Sequence, residues 1–126
     1  MGQSFSRPPG CGCFKQRKKR WLEPSILFLL FDKAKHGYTL IAELPDLGFL
    51  SGPVDPGAVY RMLRHLEDYN LVQSEWDTSG SGPAKRLYTI TPAGKQHLFS
   101  WRTILEDRRD AMQMFLNKVN KLEESS

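Results

Sequence analysis

The chain has 126 residues, 40% hydrophobic and 25% charged, with a formal net charge of +4. This length suits one domain that buries roughly two thirds of its unfolded surface without disulfides or metal, and the composition excludes a wholly disordered or collagen-like chain. The longest apolar run, Ile26–Phe31, has six residues. That is far short of the roughly 20 needed for a membrane span and too short for a signal-peptide core, so a soluble, cytoplasmic protein is expected.

The charge is unevenly spread. Residues 1–20 contain Arg7, Lys15, Arg17, Lys18, Lys19 and Arg20 and no acid, whereas the remainder is slightly acidic. With Pro8-Pro9-Gly10 and no apolar periodicity, 1–20 reads as a flexible basic arm. Such an arm suits a polyanion, either nucleic acid or an anionic membrane surface, or serves only as a solubilising tail. Both cysteines, Cys11 and Cys13, fall in this stretch. Two thiolates cannot complete a four-coordinate zinc site, so a metal role would need two copies of the chain. A redox role would have to tolerate the strain of so closely spaced a disulfide. The opening Met1-Gly2-Gln3-Ser4-Phe5-Ser6 matches the N-myristoylation pattern, which is short and arises often by chance.

From Trp21 onward the elements follow in order. Leu22, Ile26, Leu29 and Leu30 fall at helical spacing, widened by Leu27, and predict a first helix over about 23–33. His36-Gly37 breaks it. Tyr38, Ile41 and Leu44 predict the apolar face of a short second helix ended by Pro45. Residues 47–54 hold two glycines and a proline and read as a loop. Asp55-Pro56 supplies a cap and a first-turn proline for a third helix running to about Tyr69, with Val59, Leu63 and Leu66 inward and Asn70 as its left-handed stop. The period then changes to two. Residues 71–76 and 85–90 predict a β-hairpin with a Ser/Gly-rich tip over 77–84. Thr91-Pro92 opens a last helix.

Along that helix Leu98, Trp101, Leu105, Arg108, Met112, Phe115, Val119 and Leu122 alternate at spacings of three and four. All but Arg108 are apolar, which is the signature of a coiled-coil seam. A helix of about 30 residues would reach roughly 45 Å, more than the preceding body can cover. A second copy of the chain related by a twofold axis is the simplest partner, with Arg108 fixing register.

Three helices followed by a hairpin is the winged helix-turn-helix order, so the fold class is mainly α with a small β-hairpin and a long C-terminal dimerisation helix. In this order 1–20 is the arm, 21–91 the DNA-binding domain and 92–126 the dimerisation helix. With Val59, Leu63 and Leu66 inward, the third helix presents Ala58, Arg61, Arg64, His65 and Asp68 outward, with Tyr60 at the edge. Arg61 and Arg64 are one turn apart and suit guanine or phosphate, while the hairpin adds Lys85 and Arg86.

Residues 27–101 also resemble the PadR family of transcriptional regulators. The matching segments are His36-Gly37-Tyr38 with Leu40-Ile41, Gly57-Ala58-Val59-Tyr60-Arg61 continuing through Leu63 to Leu66-Glu67, and Leu71-Val72 with Ser74-Glu75-Trp76. Gly82-Pro83-Ala84-Lys85-Arg86 follows, with Tyr88, Ile90-Thr91 and Gly94. The resemblance implies a prokaryotic dimeric repressor with Tyr38, Tyr60, Arg61, Lys85 and Arg86 near a pseudo-palindromic operator. It also implies release by a small planar aromatic effector, for which Leu98, Trp101 and Leu105 facing their equivalents across a twofold axis are the candidate lining. Asn70 stands where the family usually has glycine, and the stretch holding Cys11 and Cys13 lies outside the resemblance.

Two other readings compete: a redox- or metal-responsive regulator sensing through Cys11 and Cys13, and a winged-helix module for protein interaction or a membrane surface. His36, His65 and His97 fall on separate elements, and no nucleophile–base pair, phosphate loop or metal-ligand spacing is present, so neither an enzyme nor a resident cofactor is expected.

Overall fold

The computed structural model describes residues 13–48, 50 and 52–125. Cys11, the myristoylation-like Met1–Ser6 and the first part of the expected arm lie outside the described residues. Helix α1 spans Cys13–Leu30. It starts ten residues ahead of the expected position, and the backbone of 13–20 is helical. The run of Lys, Arg and Gln there consists of good helix formers, a preference that apolar periodicity does not register. Pro24 lies inside the helix at the cost of one backbone donor. Phe31 N–H closes the last turn onto the Phe28 carbonyl at 3.2 Å, ending the helix before Lys33.

Strand β1 (Lys35–His36) and helix α2 (Gly37–Glu43) follow, and a 3₁₀ turn at Leu44–Leu47 carries Pro45. Helix α2 buries Gly37 and Leu40, and the turn buries Leu44, whereas Tyr38 is exposed. The inward face is therefore rotated from the expected Tyr38–Ile41–Leu44 stripe. Helix α3 (Pro56–Asp68) lies between a loop and the hairpin strands β2 (Val72–Asp77) and β3 (Lys85–Ile90), and helix α4 occupies Pro92–Ser125.

The sheet is antiparallel in the order β1-β3-β2, so the expected hairpin gains a third strand. Lys35 pairs with Tyr88 and His36 with Leu87, while Val72 pairs with Ile90 and Asp77 with Lys85. A two-residue strand has no alternation to read, which is why β1 appeared in the sequence only as a helix break.

One core joins these parts. Leu22, Ile26, Leu27 and Leu30 of α1 meet Val59, Leu63 and Leu66 of α3, with Leu40, Leu44, Val72 and Ile90 closing the sides. Buried Ser25 satisfies its hydroxyl on the Trp21 carbonyl at 2.6 Å. At the end of α3, Asn70 adopts φ 61°. Its N–H reaches the Glu67 carbonyl at 3.0 Å, and Leu71 N–H reaches that of Leu66 at 2.9 Å. This pair of bonds is a Schellman stop, with asparagine accepting the left-handed position that glycine more often fills.

The start of α4 is seated on the same stop. Thr91 N–H donates to the Leu71 carbonyl at 3.1 Å, and the Thr91 hydroxyl donates to the Asn70 carbonyl at 2.7 Å while accepting Gly94 N–H at 2.9 Å. A Cβ on Gly94 would lie 2.1 Å from the Leu71 oxygen, a backbone atom that cannot rotate away. Gly94→Ala is therefore expected to lower stability by roughly 3 kcal/mol, the upper part of the overpacking range. The measurement is the urea midpoint at constant m. An unchanged midpoint would show that α4 can lift off the turn at no cost.

Candidate nucleic-acid interface

Helix α3 begins as its residues demand. Asp55 accepts Gly57 N–H on its carboxylate at 3.3 Å, and Pro56 occupies the first helical position, where no N–H is needed. With Val59, Leu63 and Leu66 buried, the outward face holds Tyr60, Arg61, Arg64, His65 and Asp68, all exposed. Ala58, expected on that face, is only 8% exposed. The buried stripe is wider than the 59–63–66 line because Ala58 and half-buried Met62 belong to it, and Ala58 is removed from the surface candidates. Arg61 lies 3.6 Å from Asp55, both well exposed, so this pair is weak and can be exchanged for a ligand. The His65 ring tilts against Tyr69 at 4.8 Å.

Helix α2 and the hairpin bring further groups to the same side. The His36 ring stacks on Tyr38, with centroids 5.2 Å apart and planes within 6°, and Lys85 Nζ sits 5.3 Å from the Tyr38 ring centre. His36 stands at the N-cap of α2 but does not cap it with its side chain. Its Nε2 instead pairs with Asp77 Oδ2 at 2.8 Å, joining β1 to the end of β2. Asp77 also accepts the Ser79 hydroxyl at 2.6 Å and Ser79 N–H at 3.0 Å. These Ser79 bonds, and then the His36 contact, hold its carboxyl at about 2, below the ordinary 3.8. The depressed value means that the stabilising effect is complete above the ordinary carboxylate range and is lost as pH falls through about 2.

Tyr60 lies over the start of α2. A Cβ on Gly37 would come within 2.5 Å of the Tyr60 ring, so this glycine allows the contact. Trp76 is 61% exposed, with the Arg86 guanidinium 4.9 Å above its ring. Arg86 Nε donates to the Ser74 hydroxyl at 3.2 Å, and its Nη2 lies 3.7 Å from Glu67 Oε2. Tyr88 is buried beside them, and desolvation pushes its hydroxyl upward. Tyr38, Tyr60, Arg64, Trp76, Lys85 and Arg86 line one open concavity of about 690 Å³, together with His36, Gly37, Glu67, Ala84 and Tyr88.

Sequence reasoning did not identify Gly37, Glu67, Ser74, Trp76 or Asp77 as parts of this surface. Cross-strand register could have paired Trp76 with Arg86, but no local pattern connects Glu67 to Ser74.

Helix α4 departs from the uniform seam. Trp101 is only 7% exposed and packs edge-on against Trp21 at 5.8 Å, its indole N–H donating to Glu23 at 3.3 Å. His97 pairs with the same carboxylate. Leu98 also packs against the chain's own core. Trp101 is thus used within its own chain and presents no free ring to an equivalent residue, which overturns its place in the effector lining and on the exposed seam. The reason is that α1 reaches the first turns of α4, a contact that heptad spacing does not reveal. Farther on, Leu105 is half-exposed, and Arg108, Met112, Phe115, Val119 and Leu122 are exposed, Phe115 at 65%.

Among the described residues, the cations and aromatic rings of α2, α3 and the hairpin suit an extended anion better than an enclosed small molecule. Among the described residues, no group of three or more His, Cys, Asp or Glu side chains is placed to hold a metal. No described helix is long and apolar enough to cross a membrane. Cys13 opens α1, and Cys11 lies outside the described residues.

Comparison with known proteins agrees with this architecture. The PadR-like transcriptional regulator family matches residues 26–100. A transcriptional regulator of Mycobacterium tuberculosis is 38% identical over 82 residues, covering 65% of this chain and 73% of that protein. A solved protein described as a potential transcription factor superposes with a TM-score of 0.72 at 31% identity, covering 93% of this chain and 99% of its own. Bacillus subtilis PadR, solved in complex with operator DNA, matches with a TM-score of 0.58 at 27% identity, over 65% of this chain and 46% of its own. The winged helix-turn-helix, its three-stranded sheet and the long closing helix are thus shared with that group, and this chain belongs to the PadR-like family of transcriptional regulators.

Proposed function

We propose that the chain is a cytoplasmic, homodimeric transcriptional repressor that binds a pseudo-palindromic operator in double-stranded DNA. The observation that carries this reading is the shared surface of α2, α3 and the hairpin, where Tyr38, Arg64 and Lys85 line one open concavity beside the exposed Arg61 and His65. Helix α3 is the element of a winged helix that enters the major groove, and the hairpin reaches the adjoining backbone. Two arginines one turn apart on that helix provide either bidentate guanine contacts or phosphate clamps. The operator complex of the Bacillus subtilis relative supports the same use of the fold.

The distal part of α4 supports the dimer. At 34 residues the helix runs roughly 51 Å. Its exposed Met112, Phe115, Val119 and Leu122 form an apolar stripe beyond the reach of the chain's own core. An exposed stripe at this spacing is stabilised by a second copy. In this division residues 21–91 engage DNA, and 92–126 couple the two copies after the first turns of α4 have docked on α1. Release by a small planar effector belongs to the same reading, with Leu98 and Leu105 remaining at or near the α4 surface as its candidate lining.

Selection of duplexes from a random-sequence library by the full-length protein tests the DNA reading. The expected product is an inverted repeat with half-sites centred about 10 base pairs, or a multiple, apart. Failure to enrich any sequence would overturn the reading. On the selected duplex, Arg61→Ala is expected to weaken binding by roughly 1–3 kcal/mol if it reads a base. Unchanged affinity would remove Arg61 from the interface. Sedimentation is expected to show a species at twice the 14.5 kDa chain mass. Phe115→Glu together with Leu122→Glu should shift it to the single chain, because each places a charge on the apolar stripe. A monomer in the unmodified protein would exclude the proposed pairing.

A further inference from the structure

In the hairpin register Ser74, Trp76, Arg86 and Tyr88 fall on one face, with Trp76 directly opposite Arg86 and Ser74 opposite Tyr88. That face meets the last turn of α3 through Glu67. One oxygen of Glu67 accepts the Ser74 hydroxyl at 2.6 Å and lies 3.7 Å from Arg86 Nη2. Arg86 donates from Nε to the same Ser74 hydroxyl at 3.2 Å and covers the Trp76 ring. Its guanidinium is therefore held by three partners on two elements. Lys85 belongs to the opposite face of β3, lies over Tyr38, and has no salt bridge to a carboxylate among the described residues.

The two adjacent cations are thus placed for different work. A guanidinium drawn away to a phosphate would leave the partly buried Glu67 carboxylate uncompensated beside an anionic backbone, a like-charge arrangement that opposes binding. We propose that Glu67, Ser74 and Arg86 form a brace that fixes the angle of the wing on the recognition helix. Arg86 is then a positioning residue, and Lys85 is the wing's phosphate contact. This rests on the DNA-binding reading above and deepens it by dividing the wing's two cations.

The test uses the full-length protein and a fluorescein-labelled duplex carrying the sequence it selects from the random library. The unmodified protein is measured first, and an absence of sequence-specific binding there would overturn the DNA-binding reading itself. Given binding, Glu67→Gln is the decisive variant because the two roles of Arg86 predict opposite signs. Under the brace, loss of the carboxylate weakens binding roughly three- to ten-fold even though a negative charge near DNA has been removed. Were Arg86 a phosphate contact, freeing it from Glu67 would tighten binding, and that result would overturn the proposal.

Two further readouts separate positioning from contact. Arg86→Lys keeps the charge but loses the planar fork, so the brace predicts weakening close to that of Arg86→Gln; near-normal affinity would speak against it. Lys85→Gln should lower the slope of log affinity against log salt by about 1.8 for the dimer, whereas Arg86→Gln should weaken binding with the slope unchanged. Equal loss of slope in both variants would overturn the division. Thermal melting of each variant identifies any fold defect, and Ser74→Ala then tests the same brace without altering charge. It is expected to weaken binding at constant salt slope, and unchanged affinity would overturn the proposal.

Discussion

The carbonyl of Leu71 sits where the recognition helix, the wing and the long closing helix meet, and the geometry of the site depends on that junction. The left-handed Asn70 turns the chain sharply out of α3, which places Leu71 at the root of the hairpin. Its oxygen then receives the first donor of α4 through Thr91, and Gly94 lets the helix lie against it. Because these are backbone contacts over a few residues, they leave little freedom for the three elements to rotate independently.

Packing extends this rigidity on the other side. Helix α1 lies between α3 and α4, contributing Leu22, Ile26, Leu27 and Leu30 to the core and Trp21 and Glu23 to the contact with Trp101. Glu23 takes donors from both His97 and Trp101, so the carboxylate ties α1 to two successive turns of α4. The shared surface of α2, α3 and the hairpin is thus supported from behind by apolar burial and from its end by backbone bonds. Its polar groups remain outside, where they can exchange solvent for a ligand.

The surface itself combines weakly and strongly committed groups. Among the described residues, Arg61 pairs with the exposed Asp55, while Arg86 is engaged by Glu67, Ser74 and Trp76. Such a division is useful in a polyanion site, since some cations must be available and others must hold the scaffold. The His36–Asp77–Ser79 contacts serve the scaffold too, joining the outer strand β1 to the end of β2 at the base of the hairpin tip.

The amino-acid sequence by itself determined most of the helix and strand order, the Asp55-Pro56 and Thr91-Pro92 starts, the Asn70 stop and the apolar stripe of α3. All are local: a cap, a φ preference or a side-chain period is written within a few neighbouring residues. Arg61 and Arg64 could be placed on one helix face, and Lys85 on the hairpin, for the same reason, whereas the local period put Tyr38 inward and only the family resemblance brought it to the surface. Tertiary structure alone decided that Ala58 is covered, that Trp101 serves its own core, that β1 completes the sheet, and that Arg86 answers to Glu67. These outcomes depend on contacts between distant segments, some separated by more than 70 residues as in Glu23 and Trp101. Spacing along a single element shows which side chains share a face, but the element that covers that face is chosen only when the chain packs.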